Sequence, residues 1–157
     1  MLNPKILKLD SQSASKADFK YEMLEMLFVH VAQNVENPSY FNWTPDLIKS
    51  ELDQSRFFVL DNNDDFIAFL AFRESYDIFE IMALGVHEQF RQNGLMLQLI
   101  DVLKDEARKA SKRILLEVHA ANQSAIRLYE RSQFKCIGRR LRYYKDSADA
   151  LLYEWTP

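Results

Sequence analysis

Two segments of this chain carry residue types that suit a phosphate ligand and a group transfer. The first is Arg91-Gln92-Asn93-Gly94, and the second holds Glu117, Asn122 and Tyr129. Where a helix begins, its first N–H groups are unpaired and its dipole is positive, so phosphate binds there readily. Glycine lets the backbone approach such a ligand closely. The layout, a phosphate loop followed by an acid and then a tyrosine, favours binding of a pyrophosphate and transfer of an acyl group to an amine.

A strand and a helix must position the first segment. Residues 79–86 are apolar and predict a strand with four side chains on one face, those of Glu80, Met82, Leu84 and Val86. A helix after the loop is predicted from apolar residues at helical spacing, namely Met96, Leu99, Ile100, Leu103 and Ala107. The chain has only three glycines, and Gly85 and Gly94 both fall in this region. Taken alone, the segment also fits an ordinary strand–loop–helix connection with a glycine in its turn.

The second segment is predicted to combine a buried strand with a helix. Residues 115–118 have the apolar character of that strand, and Glu117 lies on it. Asn122 is a favourable N-cap for a helix over residues 123–131, which presents Ala125, Leu128 and Tyr129. Two more strands are predicted near residues 134–142 and 150–155.

These two segments together resemble the GNAT superfamily of N-acetyltransferases. That superfamily marks its pyrophosphate loop with Arg/Gln-x-x-Gly-x-Gly/Ala and its later half with Leu-Glu-Val…Asn…Ala…Leu-Tyr…Gly-Phe. Within it the chain is similar to the RimI type, whose members acetylate the N-terminal amine of a ribosomal protein. The resemblance covers most of the chain and is strongest from Phe79 onward. The residues that carry it are Leu116-Glu117-Val118, Asn122, Leu128-Tyr129, Gly138-Arg139-Arg140, Tyr143-Tyr144 and Asp149-Ala150.

Length and composition agree with a small enzyme. The 157 residues suffice for one domain, predicted over residues 1–157, with a full core. A formal net charge of −3 gives no basic surface, so a nucleic-acid partner is not expected. Cys136 is the one cysteine, which excludes an internal disulfide framework and fits a reducing compartment. No stretch has the length of a membrane span and the N-terminus does not read as a signal peptide, so we expect a cytoplasmic protein without a membrane partner.

The N-terminal half predicts the rest of the fold. After a short strand within residues 1–10, a helix is expected over residues 16–34, an aromatic loop over 35–43, and a second helix capped by Thr44 with Pro45 in its first turn. Residues 57–60 and 66–72 read as strands joined by the turn 61–65. The fold class is mixed α/β. The resemblance implies a single GNAT-like domain, a mostly antiparallel sheet of about seven strands flanked by about four helices.

The resemblance also implies acetyl-CoA as co-substrate, and no metal. Backbone N–H groups after Arg91 would hold the pyrophosphate, and the end of the preceding strand would run beside the pantetheine arm, where an N–H group meets the carbonyl oxygen. Asn122 would be a polar contact to coenzyme A, an N-cap, or both. The cofactor residues are therefore Leu84, Gly85, Val86, Gln92, Asn93, Gly94, Leu95, Met96, Leu97 and Asn122.

By the same resemblance, Glu117 is the general base, acting through water, and Tyr129 is the general acid. Alternatives stay open for both: Glu117 as a partly exposed strand acid, and Tyr129 as a core aromatic whose hydroxyl bonds to backbone. Glu80 is a rival base, because relatives that acetylate lysine keep a glutamate at that place. Lysine titrates near ~10.4 and an α-amine near ~8, so the choice of base bears on the acceptor.

Two departures from the family pattern are expected to matter. Met96 stands where the phosphate loop usually has glycine or alanine, so its side chain would crowd the pyrophosphate and weaken binding. Gln133 replaces the glycine before Phe134, so a positive φ there would cost about 1 kcal/mol or more.

The remaining histidines and aromatics have weaker assignments. His87 reads as a turn residue, and His30 and His119 have no metal-ligand spacing with Cys136 or an acid cluster. Five aromatic residues would line an acceptor groove or belong to the core: Tyr40, Phe41, Trp43, Tyr143 and Tyr144.

The function that follows is N-terminal acetylation of a protein or peptide, with a ribosomal protein among the implied acceptors, by a monomer or homodimer. Two other functions compete. One is acetylation of a small-molecule amine such as an amino sugar or polyamine, and the other is binding of acyl-CoA without turnover.

Overall fold

The computed structural model of the chain describes residues 2–10 and 18–157. Its strands and helices follow the predicted order, and two single-turn 3-10 helices, Pro38–Tyr40 and Glu88–Phe90, are added. The predicted beginning of the first helix at Lys16 lies outside the described residues. The elements are β1 (Lys5–Asp10), α1 (Phe19–Gln33), α2 (Pro45–Gln54), β2 (Arg56–Asp61), β3 (Phe66–Glu74), β4 (Ile78–Val86), α3 (Leu95–Ala110), β5 (Arg113–His119), α4 (Gln123–Arg131), β6 (Lys135–Arg140) and β7 (Ala150–Trp155).

The seven strands form one sheet in the order β1-β2-β3-β4-β5-β7-β6. Every neighbouring pair is antiparallel except β4 and β5, which are parallel. The predicted fold class, a mixed α/β fold with a mostly antiparallel sheet, is therefore confirmed; its extent as one domain over residues 1–157 stays a prediction. None of the described helices is long and apolar enough to cross a membrane.

The sheet is covered on both faces by helices. On one face, α3 and α4 bury a cluster that includes Leu99, Leu103 and Tyr129. On the other face, α1 and α2 bury a second cluster around Phe28 and Phe69, whose ring centroids lie 4.5 Å apart. A fully buried side chain of this size stabilises the fold by about 1.5–3 kcal/mol, so the two clusters hold the helices against the sheet.

Helix beginnings follow the predicted caps. The Thr44 hydroxyl accepts the N–H of Leu47 at 3.4 Å, with Pro45 as the first residue of α2. The Asn122 side chain accepts the N–H of Ala125 at 3.2 Å and caps α4. These side chains satisfy N–H groups that have no partner inside their helices, so the polar residues flanking each apolar run predicted both helix beginnings.

A β-bulge in β4 changes which side chains share a face. Ala71 of β3 pairs with Ala83, but the next residue, Phe72, pairs with Ile81, so Met82 is an extra residue in β4. Leu84 and Val86 pack against the cluster under α3 and α4, whereas Met82 packs against the cluster under α1 and α2. The prediction that Glu80, Met82, Leu84 and Val86 share one face is therefore wrong, because a bulge shifts the alternation by one residue.

The parallel strands β4 and β5 separate after a short contact. Their pairing runs from Ile78 opposite Arg113 to Ile81 opposite Leu116. Beyond that point residues 82–86 of β4 and 117–119 of β5 are not paired with each other in the described sheet. The two strands thus leave an opening at their carboxyl ends.

The carboxyl end of α4 is held by backbone and by a buried lysine. The N–H of Gln133 donates to the carbonyl of Glu130 and the N–H of Phe134 donates to the carbonyl of Tyr129, both at 3.0 Å. Gln133 has φ +64°. This is a Schellman motif, in which the residue after the cap takes the left-handed conformation. Lys104 of α3 is 5% exposed and donates from Nζ to the carbonyl of Ser132. Burial lowers the pKa of this lysine.

The positive φ at Gln133 makes Gln133→Gly a stabilising substitution. A side chain in the left-handed region costs about 1–2 kcal/mol, and glycine's greater freedom in the unfolded chain offsets part of that gain. We expect the free energy of unfolding in urea to rise by about 1 kcal/mol. Gln133→Ala is the matched control, because alanine keeps the Cβ atom. An equal rise in both variants would contradict a backbone origin.

Candidate active site

A cleft of about 570 Å³ lies where β4 and β5 separate. Its walls come from the end of β4, the loop before α3, the first turn of α3, the outer face of α4 and the connection between α1 and α2. Nine of the ten predicted cofactor residues line it: Leu84, Gly85, Val86, Gln92, Gly94, Leu95, Met96, Leu97 and Asn122. The tenth, Asn93, donates from Nδ2 to the carbonyls of Phe90 at 3.0 Å and Arg91 at 3.1 Å. Asn93 therefore stabilises the conformation of the loop through hydrogen bonds to its backbone.

The loop before α3 has the backbone geometry of a phosphate site. Gln92 (φ +64°) and Gly94 (φ +68°) are left-handed, and Gly94 is the N-cap of α3. No side chain caps this helix, so the first N–H groups of α3 are not taken by a cap. A Cβ atom built on Gly94 would meet nothing within 4 Å. This open glycine and the uncapped helix N-terminus fit a pyrophosphate group.

The side chain of Met96 is largely buried, although the residue also lines the cleft. It is 7% exposed and belongs to the core cluster of α3 and α4, beside Leu99. Helical periodicity explains this burial, because Met96 and Leu99 lie three residues apart on the buried face of α3. The expected crowding of a pyrophosphate by this side chain stays a prediction.

Gly85 is required by a close approach of α1 to β4. A Cβ atom at this position would lie 2.6 Å from Cγ1 of Val31 and 3.0 Å from the ring of Phe69. Any side chain here would push the α1 layer away from the strand. Gly85 thus allows the wall of the cleft to be backbone, flanked by the side chains of Leu84 and Val86.

Two arginines of the cleft, Arg127 and Arg131, escaped the sequence prediction. Arg127 and Arg131 lie one turn apart on the exposed side of α4 and line the cleft together with Arg91. Arg91 donates to the carbonyl of Asn34 at 3.1 Å, whereas no ion pair of Arg127 or Arg131 occurs within the described ranges. In the sequence, the i, i+4 spacing of Arg127 and Arg131 indicated that they share one face of the helix. Only the orientation of α4 in the fold shows that this face borders the cleft.

Glu117 lies on β5 beside the cleft, with 21% of its side chain exposed. Its Oε1 atom is 3.1 Å from Nε of Arg140. A hydrogen bond to Glu117 is the largest cause of a raised pKa at Tyr143, and the charge of Glu80 contributes to the same rise. The two candidate bases therefore face a common tyrosine, Glu117 from the half-buried β5 and Glu80 from an exposed position on β4.

Tyr129 is buried near both Tyr144 and the core. Burial is the main cause of its raised pKa, and Tyr144 adds to it. Burial and the charge of Glu117 raise the pKa of Tyr144 to about 12. The Tyr129 ring is a core aromatic, 5.9 Å from that of Phe134. A hydrogen bond from its hydroxyl to backbone, which the alternative assignment requires, is not found in the described part of the chain.

The candidate aromatics divide between core and groove. Phe41 and Trp43 pack against the ring of Phe28 at 5.9 and 5.0 Å. Tyr40 and Tyr144 instead pack against His119, each with a centroid distance of 4.8 Å. Tyr143, half exposed, lies edge-on to Tyr144 at 5.2 Å. The groove beside Glu117 is thus bordered by tyrosines from two separate loops.

His30, His87 and Glu88 converge at the entrance to the loop before α3. Nε2 of His30 lies 2.6 Å from Oε2 of Glu88, and Nδ1 of His87 accepts the N–H of Gln89 at 3.3 Å. His87 is therefore a turn residue, as predicted. One possible metal-ligand atom from each residue lies within 4.8 Å of the others. The two imidazole rings stack 4.2 Å apart at 7°, so their nitrogen lone pairs lie in parallel planes and do not converge on one ion.

A model of the Acetyltransferase (GNAT) family matches residues 20–134. No curated protein matches the chain.

Several solved structures share the fold over nearly the whole chain. The ribosomal-protein-S18-alanine N-acetyltransferase from Escherichia coli is 24% identical, with a TM-score of 0.77, covering 98% of this chain and 94% of that one. Ard1 from Thermoplasma volcanium is 22% identical, with a TM-score of 0.76 and coverage of 98% and 97%. A GNAT family acetyltransferase from Elizabethkingia anophelis with acetyl-CoA bound is 14% identical, with a TM-score of 0.75 and coverage of 99% of both chains. At these identities the likeness shows the fold.

Substitution of Asn122 separates its two roles. Asn122→Ala should lower the free energy of unfolding by about 1 kcal/mol, because the N–H of Ala125 loses its cap. Asn122→Ser keeps a capping oxygen and should keep the stability. Calorimetric titration with coenzyme A then tests the second role: weaker binding by the serine variant indicates a direct contact, and unchanged binding leaves Asn122 as a cap alone.

The raised pKa of Tyr129 predicts a loss of stability in alkali. The folded state holds this proton more tightly than the unfolded state, where tyrosine titrates at about 10. The contribution is present below about pH 10 and is lost as pH rises through the folded-state pKa, by up to about 1.4 kcal/mol per pH unit for one proton. Urea unfolding at about pH 8 and above about pH 10 measures it. Tyr129→Phe should reduce the loss, whereas the control Tyr76→Phe, at a tyrosine 98% exposed, should leave it unchanged.

Proposed function

Because the chain belongs to the GNAT acetyltransferase family, we propose that it transfers the acetyl group of acetyl-CoA to the N-terminal α-amine of a protein or peptide. The observation that carries the proposal is the convergence of Glu117 and Tyr129 on Tyr144. The charge of Glu117 raises the pKa of Tyr144, and Tyr144 raises that of Tyr129. A carboxylate and a protonated phenol thus both lie near Tyr144, outside the residues that line the cleft itself. Proton transfer to and from an acyl-transfer site requires such a pair.

The cleft supplies what binding of acetyl-CoA requires. Uncapped N–H groups after Gly94 suit the pyrophosphate, and Arg127 and Arg131 bring positive charge to the phosphates on the α4 side. Bound acetyl-CoA supplies an activated thioester carbonyl. The backbone of β4 over residues 84–86 borders the cleft without a β5 partner, so an N–H group there is placed to stabilise negative charge on that carbonyl oxygen.

Glu117 is the base that the geometry favours. An α-amine titrates at about 8 and is mostly protonated near neutral pH, so it must lose a proton before it attacks. Glu117 lies half-buried on β5, close to the tyrosine that neighbours Tyr129, and accepts that proton through water. Glu80 is exposed, and of these tyrosines its charge affects only the pKa of Tyr143. Glu80 is therefore the second choice as general base.

Tyr129 is the acid. Its raised pKa keeps the hydroxyl protonated throughout the physiological range. A thiolate leaving group needs a proton, and the phenol of Tyr129, on the helix whose outer face lines the cleft, can donate it. Burial in the α3–α4 core also fixes the ring, so the hydroxyl is held in one position.

A polypeptide N-terminus is the acceptor that fits best. Two loops carrying Tyr40 and Tyr143-Tyr144 border the groove beside Glu117, and such aromatic walls suit an extended chain. One protein of the same fold supports this class: the Escherichia coli enzyme, described as a ribosomal-protein-S18-alanine N-acetyltransferase. A ribosomal protein is therefore among the acceptors we propose. An exposed thiol at Cys136 fits the reducing cytoplasm, where such acceptors occur. The protein acts as a monomer or homodimer.

An assay of thiol release from acetyl-CoA tests both the proposed acceptor and the proposed catalytic residues. Peptides with different N-terminal residues, N-terminally blocked lysine peptides and small polyamines are compared as acceptors. We expect turnover with free N-termini. Glu117→Gln and Tyr129→Phe should each lower kcat by about 100-fold or more, with the affinity for acetyl-CoA kept, because each removes one proton-transfer group.

Three outcomes would contradict parts of this proposal. A large loss in Glu80→Gln with little effect of Glu117→Gln would transfer the base to Glu80. Turnover of polyamines or amino sugars alone would establish a small-molecule amine as acceptor. Binding of acetyl-CoA without turnover of any acceptor would favour a non-catalytic binding protein.

A further inference from the structure

His119 is a buried polar residue with both ring nitrogens engaged. It is the last residue of β5 and is 3% exposed. Its Nδ1 accepts the backbone N–H of Ala121 at 3.1 Å, and its Nε2 lies 2.8 Å from Oδ2 of Asp146. An imidazole nitrogen that accepts carries no proton, so the proton is on Nε2 and is donated to Asp146. The orientation of the ring is thereby fixed by two bonds that point in different directions.

The same ring contacts tyrosines from two different loops. Tyr40, from the connection between α1 and α2, packs at 4.8 Å and 51°, and Tyr144, from the connection between β6 and β7, packs at 4.8 Å and 34°. The Tyr40 hydroxyl also donates to the carbonyl of Ala121 at 3.1 Å. Three connections that are distant in sequence therefore meet at one imidazole.

The bond to Asp146 orders the loop that carries Tyr144. Asp146 also accepts the N–H of Ala148 at 3.1 Å through Oδ1, and the N–H of Tyr144 donates to the carbonyl of Ala148 at 3.1 Å. The hydrogen bond from His119 is the largest cause of a lowered pKa at Asp146. This carboxylate thus joins the loop to β5, two residues after Glu117.

We infer that His119 is a positioning residue that locks the α1–α2 and β6–β7 connections together and holds Tyr144 beside Glu117 and Tyr129. The inference rests on the proposed function, because these connections border the groove in which the amine acceptor would bind. The cofactor loop before α3 lies apart from the contacts of this ring. Tyr40 does line the cofactor cleft, whereas the β6–β7 connection does not. His119 therefore acts more strongly on acceptor binding, through Tyr144, than on acetyl-CoA binding.

Steady-state kinetics of His119→Phe test this role. Phenylalanine keeps an aromatic ring between the two tyrosines but removes both nitrogens. We expect the KM for the acceptor peptide to rise about tenfold, the loss expected from one hydrogen bond to a charged group, and the KM for acetyl-CoA to rise less. Asp146→Asn keeps an acceptor oxygen for Nε2–H and should restore most of the acceptor affinity that Asp146→Ala loses.

His30→Phe is the matched control. His30 is also a partly buried histidine paired with a carboxylate, Glu88, but it lies on α1 away from the β6–β7 connection. This substitution should leave the KM for the acceptor unchanged. Equal effects of the two histidine substitutions on acceptor KM, or an equal rise in both KM values in His119→Phe, would overturn the inference.

Hydrogen exchange separates a failure of this inference from a failure of the proposed function, because it needs no acceptor. In His119→Phe the amides of residues 37–41 and 141–149 should exchange faster together, while those of β3 and α3 keep their protection. Faster exchange throughout the chain would show a general structural role and overturn the inference, as would an effect on one connection alone. A wild-type enzyme that acetylates only small amines would refute the proposed acceptor but leave this measurement valid.

Discussion

The separation of β4 from β5 is the constraint on which the rest of this structure depends. The strands pair over four residues each and then part, so the edge of β4 that faces β5 has no strand partner near Leu84 to Val86. A sheet that stayed paired would fill the space that the cleft occupies. Because the edge is open, backbone polar groups of residues 84–86 border the cleft instead of another strand. The bulge at Met82 lies at the start of this open stretch and turns Leu84 and Val86 toward α3 and α4.

Around this opening, each functional group comes from a different element, and each element has a separate structural reason to be where it is. The phosphate loop depends on left-handed backbone at Gln92 and Gly94. The wall of β4 depends on the absence of a side chain at Gly85, where α1 approaches. Glu117 and Tyr129 depend on β5 and α4, whose core contacts hold them in place. The site is therefore assembled by the packing of the whole fold, and no single segment would form it alone.

Local signals in the sequence predicted much of this arrangement. Apolar periodicity and the polar caps Thr44 and Asn122 predicted the order of the elements and the bounds of α4. The phosphate loop was visible from its glycine and the helix after it. Features that depend on a partner distant in sequence were not visible. The bulge at Met82 is a property of pairing with β3, and the place of Arg127 and Arg131 in the cleft follows from how α4 lies on the sheet. The contacts of His119 join three loops that are distant in sequence, and no local pattern in one loop predicts contact with the others.

The buried ammonium group of Lys104 connects α3 and α4, which contribute different parts of the candidate site. It extends from α3, whose N-terminus forms the phosphate loop, to the last carbonyl groups of α4, which carries Tyr129. Its position over the rings of Phe134 and Trp155 adds cation–π attraction to that bond. Movement of α3 relative to α4 is costly, because a shift that breaks the hydrogen bond of Lys104 leaves its buried charge without a partner or solvent. Lys104 therefore couples the position of α3 to the carboxyl end of α4, the helix that carries Tyr129.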